Sequence, residues 1–195
     1  MSGDKRPLWT LGRQLVGNIL PLVVGLPFLV FGLIQFAQQG AELPAALSLA
    51  AFPIVTWLAT NFLALVGNQS LKREMASRVP AIGGPRWFVG FSPPGQSGWL
   101  DPHSDLGYFV IHPDRIEFVG SATRVTLKKS EVVSARFRPN VHTWLGLGRW
   151  VSVEGQSQGR AVRLLVEPRE KATLLGNRAE SARLLQAIRD WHRSS

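Results

Sequence analysis

The sequence has no cysteine. That removes disulfides, thiolate metal sites and cysteine nucleophiles in one step, and it fits a reducing compartment. Charge is missing over long stretches. No Asp, Glu, Lys or Arg stands between Arg13 and Glu42, and none between Glu42 and Lys72. Histidine is scarce and late: His103, His112, His142 and His192 all follow the uncharged region, so the chain offers no imidazole there to hold a haem or chlorophyll. The uncharged segments also contain no acid or base for a proton relay or an ion pathway.

What remains is a chain in two parts. From Lys72 onward there are 19 Lys and Arg against 11 Asp and Glu, which accounts for +8 of the net charge of +9. Ahead of that point lie two apolar runs, 15–37 and 43–67. As a helix the first would be about 35 Å long, against a hydrocarbon core of about 30 Å. Neither run shows the 3.6-residue alternation with charge of a soluble amphipathic helix. The first is too long for a signal peptide, has a second behind it and shows no small-residue cleavage site. Two transmembrane helices are therefore expected, joined by the short loop 38–42 as an antiparallel hairpin.

The loop has no Lys or Arg. Lys5, Arg6 and Arg13 flank the first helix, while Lys72, Arg73 and Arg78 follow the second. Basic flanks favour the cytoplasmic side, so both termini are expected there, in a cell (inner) membrane protein. Pro21, Pro27 and Pro53 should kink the helices. Gly17, Gly25 and Gly32 on the first helix, with Ala46, Ser48 and Ala50 on the second, should let helices approach closely. The hairpin reads as an anchor or assembly surface, for another membrane protein or for self-association.

The expected organisation is a cytoplasmic N-terminal segment 1–14, the hairpin, a basic connector 68–85 and a cytoplasmic domain 86–195. Seven short strand-like runs are bounded by turn residues: 86–91, 106–111, 115–119, 123–127, 131–138, 149–154 and 161–166. Ile116 and Phe118 alternate with Arg115 and Glu117, and Ala135 and Phe137 with Arg136 and Arg138. A C-terminal helix should begin with Asn177 as N-cap and Glu180 completing a capping box. Leu184, Leu185, Ile188 and Trp191 follow at helical spacing. Such a domain should fold on its own from near Pro85.

The runs YFVIHPDRIEFVG (Tyr108 to Gly120), LKKSEVVSARFRPN (Leu127 to Asn140) and WLGLGRWVSVEG (Trp144 to Gly155) resemble the PH-like (pleckstrin-homology) domains that bacteria attach to transmembrane hairpins. The likeness covers about 110 residues and implies a mainly-β split barrel of about seven strands capped by one C-terminal helix. Lipid-binding PH domains carry basic residues around the loop between their first two strands. Here that loop, 92–105, has no Lys or Arg but does have Asp101 and Asp105, so no phosphoinositide pocket is implied.

Two groups of residues could carry function. Arg124, Lys128, Lys129, Arg136, Arg138 and Arg149 form the densest basic stretch, able to meet an acidic protein or anionic lipid headgroups. The pI of about 11.2 also raises nucleic acid, but no binding motif accompanies it and none is expected as a partner. Asp101, His103 and Asp105 alternate along an extended segment, so their side chains could converge on a cation and serve a metal-dependent or hydrolytic domain. A closed zinc site needs a fourth ligand, and neither His112 nor His142 is suitably spaced. No Gly-x-Ser-x-Gly elbow or dinucleotide fingerprint is present. The expectation is a non-enzymatic membrane adaptor or accessory subunit without cofactor.

Overall fold

The structure is a computed structural model that describes residues 8–63, 65–79, 83–93 and 103–194. Two long helices open the chain, α1 (Leu11–Gln39) and α2 (Leu43–Leu63). The Thr10 hydroxyl caps α1 by accepting from the Arg13 amide, and Gly40 ends it in a positive-φ conformation. The helices pack side by side because glycine leaves room. A Cβ at Gly25 would stand 2.0 Å from the Thr56 hydroxyl, and one at Gly32 would stand 2.8 Å from Leu49.

Both helices are long and apolar enough to cross a membrane. Fewer than a fifth of the residues in their most apolar windows are buried, which a soluble protein's core helix would not tolerate. Leu22, Phe31 and Leu33 on α1, with Ile54 and Phe62 on α2, are each half exposed or more.

The basic segment after α2 holds a helix of its own, α3 (Asn68–Arg78). All seven expected strand runs form strands: β1 (Arg86–Ser92), β2 (Asp105–Ile111), β3 (Arg115–Gly120), β4 (Arg124–Lys128), β5 (Val132–Arg138), β6 (Trp150–Ser157) and β7 (Arg160–Pro168). A 3-10 turn (Lys129–Glu131) links β4 to β5, and the short helix α4 (Val141–Trp144) precedes β6. The sheet is antiparallel throughout in the order β4-β3-β2-β1-β7-β6-β5, open between β4 and β5.

One core holds the sheet together. Val89, Phe109, Phe118, Leu127, Val153 and Leu164 line its inner face, and helix α5 (Leu174–Arg193) covers them with Leu184, Leu185, Ile188 and Trp191. The start of α5 differs from expectation. Thr173, not Asn177, is the N-cap, accepting from the Gly176 amide. Asn177 lies one turn inside the helix, where its side chain accepts from the Lys171 amide and donates to the Lys171 and Thr173 carbonyls. It fastens the preceding loop.

A second core lies on the outer face of β1 and β2. Phe88, Leu106, Tyr108 and Val110 are covered there by Leu71 and Met75 of α3, and by Leu8 and Trp9 ahead of α1. Residues 86–195 therefore do not hold all of the sheet's cover. The chain wraps back so that both ends of the hairpin away from the 38–42 loop meet the sheet.

Candidate functional site

Three places concentrate polar chemistry: a guanidinium cluster on the outer face of β5–β7, a buried imidazole–carboxylate pair, and the joint between hairpin and sheet.

The first is built by strand register. Arg136 lies opposite Ser152, Arg138 opposite Trp150, and Arg163 opposite Glu154, so the three arginines converge on one carboxylate. The Glu154 oxygens lie 2.9 Å from Arg136, 2.7 Å from Arg138 and 3.1 Å from Arg163. The bond from Arg138, with Arg136 beside it, overcomes partial burial and holds the Glu154 carboxyl down at about 2. The cluster stays ionised through the physiological range and keeps an excess of positive charge. Arg163 was not among the expected residues; only the pairing of β6 with β7 brings it there.

The other expected basic residues lie elsewhere. Arg124, on β4 at the far end of the strand order, holds Glu117 at 2.5 Å, with His112 at 3.3 Å on the other oxygen. Burial alone would raise the Glu117 carboxyl, but Arg124 and His112 outweigh it and keep it below the usual carboxylate range. Lys128 ends β4, its amide donating to Glu131. The Arg149 guanidinium stacks 3.6 Å over the Phe137 ring. Burial, then the like charge of Arg178, lowers its pKa. The six residues of the basic stretch are thus spread over the domain, with Arg136 and Arg138 sharing one cluster.

The convergence expected of Asp101, His103 and Asp105 is not seen for its two described members; Asp101 lies outside the described residues. Asp105 turns toward the β3–β4 connection, where it accepts from the amides of Ser121, Ala122 and Thr123 and from the Ser121 hydroxyl. It is the cap of a turn. His103 turns the opposite way, across β1, to lie 3.3 Å from Glu167 on β7 and edge-on to Trp150. Asn140 donates to the same Glu167 oxygen at 2.9 Å. Among the described residues, no three His, Asp or Glu side chains come together as a metal-holding group.

The His103–Glu167 pair is almost fully buried and had no signal in the sequence, because the partners are 64 positions apart. Gly90 makes room for it: an added Cβ would stand 2.0 Å from the imidazole. Gly90→Ala should therefore expel His103 from Glu167 and lower stability by on the order of 3 kcal/mol. Gly83→Ala, where nothing lies within 4 Å, should leave the thermal midpoint unchanged. Equal midpoints for the two variants would show that the imidazole has space to move.

No protein-family model matches this chain, and no curated protein matches it either.

The joint is the most extensive of the three. The Trp57 indole of α2 donates to the Leu145 carbonyl at 2.8 Å. The Asn61 side chain accepts from the Leu175 amide at 3.0 Å, and Asn68 donates to the Arg169 carbonyl at 2.5 Å. Arg169 stacks on Trp9, Lys72 pairs with Glu170, and the Leu8 amide donates to Ser121. Leu65, Leu147 and Leu174 close the apolar part of the contact. Asn61 and Asn68 are buried here, each bonded to a backbone group of the domain.

Proposed function

We propose that the protein is a non-enzymatic membrane adaptor or accessory subunit, whose hairpin spans the cell membrane and whose PH-like domain presents a basic surface to a protein partner at a fixed height above the cytoplasmic face. The observation that carries this reading is the joint. A catalytic or signalling head on a flexible tether needs no such attachment, whereas a presenting surface gains from being held in one orientation. Trp57 and Asn61 of α2 and Asn68 of α3 reach backbone groups of the domain, and Leu8 and Trp9 bind it from the other end. The PH-like assignment is supported by the strand order, the opening between β4 and β5 and the single covering helix.

The presented surface is the guanidinium cluster. Three arginines on one glutamate leave positive charge to spare, and Arg136 keeps half of its side chain exposed. Val133, 69% exposed at the register shift of the same edge strand, adds an apolar side chain three residues before Arg136. A protein partner with acidic side chains fits this surface better than headgroups do, because the cluster is one compact feature rather than a broad plane of cations.

A photo-crosslinking side chain at Val133 should form one protein adduct of defined mass in native membranes. Arg136→Gln together with Arg163→Gln should reduce it at least tenfold, while Arg138 stays on Glu154 to preserve the fold. Adducts to lipid alone, or a protein adduct indifferent to these changes, would sink the proposal.

A further inference from the structure

Among the described residues beyond Gly67, the large apolar side chains with substantial exposure are Val133, Phe137, Trp144, Leu145 and Leu175. Three of the five sit on two segments fastened to neighbouring turns of α2. Trp144 is 87% exposed, Leu145 44% and Leu175 42%. They are held by what lies beside them. Leu147 packs fully buried against Leu65 and Leu174, the Leu145 carbonyl accepts from Trp57, and the Leu175 amide donates to Asn61. The loop and the first turn of α5 are pinned to the last turns of α2.

That attachment sets a height. Trp57 stands six residues before the end of α2, hence about 9 Å back along its axis. The whole of α2, 21 residues and about 31 Å long, roughly matches the thickness of a hydrocarbon core. A backbone carbonyl bonded to Trp57 is therefore at or below the level where lipid headgroups begin. Tryptophan in a spanning helix favours that boundary too. Arg149 follows the loop directly, and Arg178 donates to the Gly148 carbonyl. Among the described residues, no ion pair neutralises either.

We propose that the loop 140–148 and the first turn of α5 form a third membrane contact, in which Trp144, Leu145 and Leu175 enter the headgroup–acyl boundary of the bilayer crossed by α1 and α2, with Arg149 and Arg178 meeting its anionic headgroups. The occupant of this apolar patch is lipid. Water is excluded from it by depth, and the joint carries the patch to that depth whether or not a partner is bound. An exposed tryptophan beside two cations is the composition such a boundary selects. The contact would stop the domain from rocking on the hairpin. The inference rests on the reading of α1 and α2 as membrane-spanning.

The absence of cysteine makes the test direct, since a single introduced thiol is the only one in the chain. Full-length Trp144→Cys, Val133→Cys and Ile54→Cys, each spin-labelled, would be reconstituted into mixed phosphatidylethanolamine–phosphatidylglycerol vesicles. Collision with oxygen, which concentrates in lipid, is then compared with collision with a water-soluble nickel chelate. The label at position 144 should show an oxygen-to-nickel ratio at least tenfold above that at position 133, and below that at position 54. A ratio at 144 equal to that at 133, with position 54 still deep in lipid, would overturn the third contact while leaving the spanning helices standing. Shielding at 144 from both reagents would also overturn it, by showing a protein or a second copy on the patch. A water-like ratio at position 54 would overturn the spanning reading and the contact together.

Discussion

A chain carrying Leu184→Asp together with Ile188→Asp should fail to form its sheet domain. Both side chains are fully buried, and both face the one core to which every strand contributes. Shortening either to alanine would already cost about 2–5 kcal/mol through lost contacts and a cavity. A carboxylate has no partner at either place, and each would add several kcal/mol of desolvation. Together these terms exceed the roughly 5–15 kcal/mol by which a domain is stable. The expected readout is loss of the β-sheet circular dichroism signal and rapid proteolysis beyond α3, while the apolar helices α1 and α2 resist cleavage. Ala182→Asp, on the exposed face of the same helix, should leave protease resistance as it was. A double variant that resists protease like the parent would show that α5 does not close the core.

Cutting the chain should have the second largest effect, and where the cut falls matters. A fragment beginning at Pro85 leaves Phe88, Leu106, Tyr108 and Val110 without cover on the outer face of the sheet. One beginning at Gly67 keeps α3, whose Leu71 and Met75 lie on those side chains. Each is worth about 1.5–3 kcal/mol when buried, so the longer fragment should be more stable by about 3–6 kcal/mol. It should melt well above the shorter one, which should aggregate at concentrations where the longer stays soluble. Equal melting of the two would show that α3 does not rest on the sheet in solution. The Gly67 fragment still lacks Leu8 and Trp9, so the intact chain should exceed both.

The second of these results departs from what the amino-acid pattern leads one to expect. Residues 68–85 read as a basic connector, because Lys72, Arg73 and Arg78 dominate a short polar stretch. Within it, Leu71 and Met75 are four apart and share one helix face. Two apolar residues are too few to announce an amphipathic helix in a sequence window, but enough to cover a waiting patch. That patch was itself obscure. Every residue of β2 is buried, so its pattern does not alternate and does not tell which face is core.

Local signals decided a good deal. Uncharged runs of membrane length, with a turn between them, determine two apolar helices whatever follows. Seven runs of β-branched and aromatic residues between turn residues determine seven strands, since side-chain period and turn chemistry act within a few residues. Leu184, Leu185, Ile188 and Trp191 mark the inner face of α5 by spacing alone. What needed the tertiary structure was every relation between distant positions. Strand pairing placed Arg163 with Arg136 and Arg138 on Glu154. It sent His103 toward Glu167 while Asp105 went to the β3–β4 turn, so two residues that alternate in an extended segment diverge. Asn61 and Asn68 carry no mark of a partner in their own segments until Leu175 and Arg169 arrive to bond them. Such partners are 114 and 101 positions away. Periodicity reports which way a side chain points relative to its own element, and only the packed chain decides what stands opposite.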